Sequence, residues 1–132
     1  MELEAAAERQ PAIRVVMMPK DTNALGTIFG GIILSYIDQA GAVEAHRYSR
    51  GKLVTVAMHE VEFLAPVFVG DLVTFWTETL RVGRTSITVK VTVEAERPYG
   101  SPAPKTQVTE AEVVYVHVNE EGHPIPVRTE PA

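Results

Sequence analysis

TNALGTIFGGIILSYIDQAG, residues 22–41, runs from a polar, glycine-bearing turn into an apolar helix that carries an aspartate, Asp38, at its middle. The apolar residues of IFGGIILSYIDQAGAVEAH, 28–46, persist over about five helical turns, and the preceding KDTNALGT supplies turn formers and an N-terminal cap. No other stretch offers a long helix. On a wheel of 3.6 residues per turn, Asp38 shares a stripe with Gly31, Leu34, Gly41, Ala42 and Ala45, with Ile33, Ile37 and Ala40 beside it. Aspartate is a mediocre helix former, and a carboxylate on an apolar stripe is costly to desolvate and tends to a raised pKa. Two ordinary explanations exist: this stripe is the wet edge of the helix, or Asp38 is a structural acid bonded to a neighbouring strand.

Working outward, the flanking chain reads as strands. Residues 1–12 are rich in Glu and Ala, end near Pro11, and read as an N-terminal tail. Ile13 to Met18 is a short strand stopped by Pro19. Beyond SRGK come LVTVAMHEVEFLAP (53–66), DLVTFWTETL (71–80), TSITVKVTVEAE (85–96) and TQVTEAEVVYVHV (106–118), rich in Val, Thr and aromatics and parted by turn signals. In the third of these, Ile87, Val89, Val91, Val93 and Ala95 alternate with Ser86, Thr88, Lys90, Thr92 and Glu94, so one face is buried and the other wet. Turns fall at 66–71, 82–85 and the proline-rich 97–105, and hairpins are expected to link these four strands. The ending NEEGHPIPVRTEPA has too much proline for a sixth core strand, though an edge position is open to it. One domain over 13–127 is expected, α+β in class, with a long helix packed against a curved five-stranded antiparallel sheet and residues 128–132 as a C-terminal tail.

Composition limits the function. A chain of 132 residues with 45% hydrophobic content buries a core without covalent staples. Cysteine is absent, which removes disulfides and thiolate chemistry. The formal net charge of -5 argues against broad binding of nucleic acid, so an anionic ligand would need a local basic pocket. No run reaches the ~18 apolar residues of a membrane helix, and a cytoplasmic location is expected. The four histidines, His46, His59, His117 and His123, lack metal-binding spacing, so no metal site is expected; separately, no cofactor is expected.

The loop ahead of the helix changes the weight of Asp38. Asn23 lies in a turn-forming stretch, Gly26 and the Gly30, Gly31 pair allow close backbone approach, and the helix start offers free N–H groups with positive dipole character. A carbonyl oxygen fits there. Asp38 stands seven residues beyond Gly31, roughly 10 Å along the axis, too far to touch that carbonyl. Two copies with helices packed antiparallel would bring the Asp38 of one to the helix start of the other, and a C2 dimer would hold two such sites.

MPKDTNALGTIFGGIILSYIDQAGAVEA (18–45), HEVEFLAPVFVGDLVTF (59–75), RVGRTS (81–86) and NEEGHPIPV (119–127) together resemble the hotdog-fold acyl-CoA thioesterases, in particular the cytosolic acyl-CoA hydrolase group. The likeness runs from about Val15 to Val127. It implies a helix wrapped by a five-stranded sheet, dimers whose sheets join, further assembly to a hexamer, and active sites at the dimer interface. It also implies that Asn23 and Asp38 are catalytic and are contributed to one site by opposite subunits. Backbone N–H near Gly30 and Gly31 would polarise the thioester carbonyl. Asp38 would activate water as general base or attack directly to form an anhydride, while Asn23 orients water or carbonyl.

Coenzyme A, as part of the substrate, needs a path for its phosphates. The turn Gly83, Arg84, Thr85, Ser86 combines a guanidinium, two hydroxyls and an exposed backbone N–H, and its counterpart in the resembling family lies along the CoA path. Arg97 and Lys105 flank the loop at 97–105 and are further candidates. Apolar alternation nominates Ile33, Ile37, Met58 and Phe63 for the acyl pocket. A different class of reading, an acyl-CoA sensor that binds without cleaving, uses the same fold. The presence of both Asn23 and Asp38 favours the enzyme.

Overall fold

The computed structural model describes residues 9–98 and 104–127. Among these residues five strands, β1 (Gln10–Val16), β2 (Lys52–His59), β3 (Leu72–Val82), β4 (Ser86–Glu96) and β5 (Thr106–Val118), accompany one α-helix, α1 (Gly30–Ala45), and a single 3-10 turn, Pro19–Asp21. All pairings are antiparallel and the order across the sheet is β1-β3-β4-β5-β2. The expected α+β class and five-stranded sheet are what the chain forms. Along β4 the alternation is strict: Ile87, Val89, Val91 and Val93 are fully buried beneath α1, while the residues between them face outward.

Two strands differ from the sequence expectation at their ends. β1 starts at Gln10 instead of Ile13, because Pro11 sits on an edge strand at a register shift, where its missing N–H interrupts no ladder. It ends at Val16, and Met17 leaves the strand to exchange backbone bonds with Gly70 and Asp71. The stretch 53–66 is strand only to His59, since Glu60 takes a left-handed φ of 57° that breaks the pleat.

The hairpin expectation is corrected for one connection. β3–β4 and β4–β5 are sequential antiparallel neighbours, but β2 lies at the far edge beside β5, and β3 lies beside β1. Residues 60–71 must therefore cross between the two, and they pass the start of α1. Leu64 N–H donates to the Val108 carbonyl, Ile28 N–H donates to that of Val67, and the Phe63 ring lies against Gly30. This crossing segment supplies one wall of the site below. The described part of the proline-rich ending, 119–127, forms no full strand: a turn held by Asn119 leads to a bridge between Val118 and Pro124, after which Val127 N–H donates to the Arg84 carbonyl. The expected loop at 97–105 lies partly outside the described residues, as do the tails.

Helix α1 buries Ile33, Ile37, Ala40, Gly41, Glu44 and Ala45, so its core face is centred one position away from Asp38, which stands half-buried at the border. The deeply buried acid of this helix is Glu44, at 1% exposure, which the sequence reading passed over. Its carboxylate accepts from Thr79 Oγ1 at 2.8 Å, Arg47 Nη1 at 2.9 Å and, at a long 3.5 Å, Thr77 Oγ1. Burial is tolerable because β3 presents hydroxyls inward at that level. Glu44→Ala is expected to lower stability by roughly 2–4 kcal/mol, through a cavity and orphaned hydroxyls. Glu44→Gln, which keeps an acceptor for Thr79, should lose about half as much. Urea midpoints decide the matter, and an Ala variant as stable as the native chain would refute it.

Candidate active site

The loop from Pro19 to Phe29 is a small closed frame. Asp21 accepts from Met18 N–H through Oδ2, a bond that holds its carboxyl below the usual aspartate range, and its own carbonyl accepts from Phe29 N–H. Asn23 closes the tip: its N–H donates to Thr27, its Oδ1 accepts from the N–H of Leu25 and Thr27, and its Nδ2 donates to Thr27 Oγ1 at 2.9 Å. Gly26 completes the turn at φ 89°, a conformation suited to glycine. Within one chain, then, Asn23 organises the loop and retains one free N–H of its amide.

Helix α1 begins with Phe29 as N-cap and no side-chain cap, so the cap expected from KDTNALGT does not form: those polar residues close the loop on itself instead. The N–H groups of Gly30 and Gly31 have no acceptor among the described residues, the first bond of the helix being Ile32 N–H to the Phe29 carbonyl. Aromatic rings flank this bare end: Phe63 rests on Gly30, and the half-exposed Phe29 lies over Gly31. A cavity of about 320 Å³ opens here, lined by Ile28, Gly30, Ile33, Phe63, Leu64 and Val67 among others. Ile33 and Phe63, two of the acyl-pocket candidates, therefore share a space with the unpaired N–H of Gly30. Ile37 is fully buried in the core and Met58 packs against it from β2, so neither lines this cavity.

Asp38 is far from free. Its Oδ1 accepts from Thr55 Oγ1 at 2.6 Å, with the Tyr115 hydroxyl 3.4 Å away. That hydroxyl donates to the Asp38 main-chain carbonyl at 2.6 Å. Thr55 and Tyr115 are register partners across β2 and β5, so two hydroxyls converge on the acid from one cross-strand pair. Oδ2 accepts from no described residue. One oxygen is thus anchored and the other is unengaged. β2 closes the sheet order, and its outer edge pairs with no described strand.

Sequence reasoning overlooked both hydroxyls. Tyr115 reads as an ordinary sheet residue, and its alternation with Val113, which the structure also buries, was the available signal. What identifies it is Gly41, where a Cβ would fall 2.2 Å from the phenol oxygen.

The phosphate candidates are not brought together within one chain: Gly83 to Ser86 lie at the start of β4, and Arg97 and Lys105 lie beyond its far end. Gly83 to Ser86 form the β3–β4 turn, closed by Gly83 N–H to the Ser86 carbonyl at 2.7 Å, with Arg84 exposed. Arg97 is stacked over the Phe68 ring at 4.8 Å and bonded through Nε to the buried Asp71, which leaves both its Nη groups outward. Lys105 faces Glu96 at 3.8 Å. A second cleft, of about 780 Å³, lies on the outer sheet face with Glu60, Glu62, Glu110, Glu112 and Lys90 in its lining. Four carboxylates against one ammonium disfavour an anionic ligand there. Among the described residues no group of three or more His, Asp or Glu is placed to hold a metal ion, and no helix is long and apolar enough to cross a membrane.

Comparison with known proteins bears on this geometry. Residues 25–100 match the thioesterase superfamily. A protein of Buchnera aphidicola described as an uncharacterised acyl-CoA thioester hydrolase is 44% identical over 113 residues, covering 85% of this chain and 84% of its own. The acyl-CoA thioester hydrolase YciA of Escherichia coli is 38% identical over 113 residues, covering 85% and 86%. Among solved structures, a hexameric hotdog-fold thioesterase of Campylobacter jejuni superposes with a TM-score of 0.83 at 42% identity, over 94% of this chain and 92% of that one.

Proposed function

Because this chain belongs to the thioesterase superfamily, we propose that it hydrolyses acyl-CoA thioesters to a carboxylic acid and free CoA, with Asp38 as the acid that does the chemistry. One observation carries the assignment: a carboxylate with Oδ1 anchored by Thr55 and Oδ2 unengaged, beneath an open strand edge. The thioester carbonyl would sit at the bare N–H groups of Gly30 and Gly31, whose dipoles favour the oxyanion that forms as the carbonyl carbon becomes tetrahedral. Oδ2 would remove a proton from the attacking water, or attack the carbonyl carbon itself to give an anhydride that water then opens. The free N–H of Asn23 would orient water or carbonyl.

Asp38 and the helix start are about 10 Å apart along α1, so the reading pairs Asp38 of one protomer with the loop of its partner. Joining two copies through the β2 edges would place each Asp38, bonded to Thr55 of β2, close to the twofold axis. A trimer of such dimers, like the hexamer described for the Campylobacter jejuni protein, is the assembly we propose. The acyl chain would enter the apolar cavity beside Phe63, and the CoA phosphates would be met by Arg84 or, from the opposite end of β4, by Arg97 and Lys105, in a cytoplasmic enzyme that needs no cofactor.

The test is a thiol-release assay over acyl-CoA substrates from acetyl to palmitoyl, with binding measured in parallel. Saturable release of CoA is expected with at least one chain length. Tight binding without release above the spontaneous rate would replace the enzyme by a sensor.

A further inference from the structure

Glycine at position 41 and tyrosine at position 115 are matched to one another. A Cβ on Gly41 would stand 2.2 Å from the Tyr115 hydroxyl, 3.1 Å from Cζ and 3.2 Å from Cε2, so the phenol reaches the helix backbone only because nothing projects there. Having reached it, the hydroxyl donates to the carbonyl of Asp38 at 2.6 Å and lies 3.4 Å from Oδ1 of the same residue. In a regular helix that carbonyl already accepts from the N–H four residues on, and the phenol takes its second lone pair. Tyr115 is 1% exposed, and burial, followed by the charge of Asp38, pushes its ionisation well above the ordinary tyrosine range. It therefore remains a proton donor at any working pH.

We propose that Tyr115 is a positioning residue for Asp38, fixing the helix turn that carries the carboxylate, and that Gly41 is required to admit its hydroxyl. The inference rests on the reading of Asp38 as the reacting acid. Thr55 holds Oδ1 from the edge strand, but it grips only the end of the side chain. Tyr115 grips the main chain from which that side chain departs, and so removes rotation of α1 about its axis as a source of error. A displacement near 1 Å at a reacting atom costs up to about a hundredfold in rate, which is why such a clamp bears on turnover and not only on stability.

Tyr115→Phe keeps the ring and deletes the donor. Its kcat for CoA release is expected to fall about tenfold with KM unchanged, in protein of native circular dichroism and oligomeric state. Gly41→Ala is expected to fall by at least about tenfold, again in kcat. In the double variant the oxygen responsible for the worst contact is gone and the ring, 3.1 and 3.2 Å from the new Cβ, must give by only a few tenths of an ångström, so kcat should fall less below Tyr115→Phe than Gly41→Ala falls below native. Each arm decides independently, so failure of one variant to fold leaves the other to judge. A Tyr115→Phe enzyme with native kcat, whether or not its melting temperature drops, overturns the proposal. So does a loss confined to KM, or a double variant in which the two losses multiply. Native enzyme that releases no thiol would instead overturn the underlying assignment of Asp38, and is read from the wild-type control before any variant is scored.

Discussion

Asp38→Asn is expected to lower kcat for CoA release by about a thousandfold or more while leaving fold and assembly intact. The replacement is nearly isosteric. Its carbonyl oxygen still accepts from Thr55 Oγ1, and the Tyr115 hydroxyl still donates to the main chain, so every contact seen at Oδ1 and at the backbone survives. What changes is the open position. Oδ2 becomes an amide nitrogen, which neither takes a proton from water nor attacks a carbonyl carbon. Asp38→Ala would confound this by releasing Thr55 from its partner. Turnover of Asp38→Asn within tenfold of native, with matched melting temperature, would remove Asp38 from the chemistry.

Mixing two inactive proteins should restore activity. Asn23→Ala loses the loop closure and the free amide N–H, Asp38→Asn loses the base, and each homodimer carries two defective sites. If one site draws Asn23 from one protomer and Asp38 from the other, a hybrid dimer contains one site with both defects and one with neither. Equal mixing with full subunit exchange then returns about a quarter of native activity. The physical basis is the helix itself, since about 10 Å of axis separates the bare N–H groups from Asp38 in a single chain. Native mass spectrometry verifies the exchange. Absence of recovery once hybrids are demonstrated would place the whole site within one protomer.

Both predictions involve residues visible in the sequence. Asn23 and Asp38 lie 15 positions apart, in a loop and helix whose local patterns are self-sufficient: turn formers, paired glycines, then a sustained apolar run. The alternation of β4 is equally local and matches its burial residue by residue. The readings that needed correction were not local. Nothing in 53–71 says that β3 will pair with β1 and β4 in place of β2, because strand order depends on contacts between segments far apart in sequence. Glu44 escaped notice for the same reason, its partners Thr77 and Thr79 being 33 and 35 residues away.

The elements are legible in the chain's own spacing: one apolar helix carrying Asp38 at its middle, strands of period two, and a loop of turn formers and paired glycines ahead of the helix. Long-range pairing decided that the segment after β2 crosses to the helix start and walls a cavity there. It also decided that Thr55 and Tyr115, register partners across two strands, hold one oxygen and the backbone of Asp38 and leave the other oxygen open. A side chain's type is set by the code at its own position, whereas which of its atoms is satisfied depends on neighbours that long-range pairing alone brings within 3 Å.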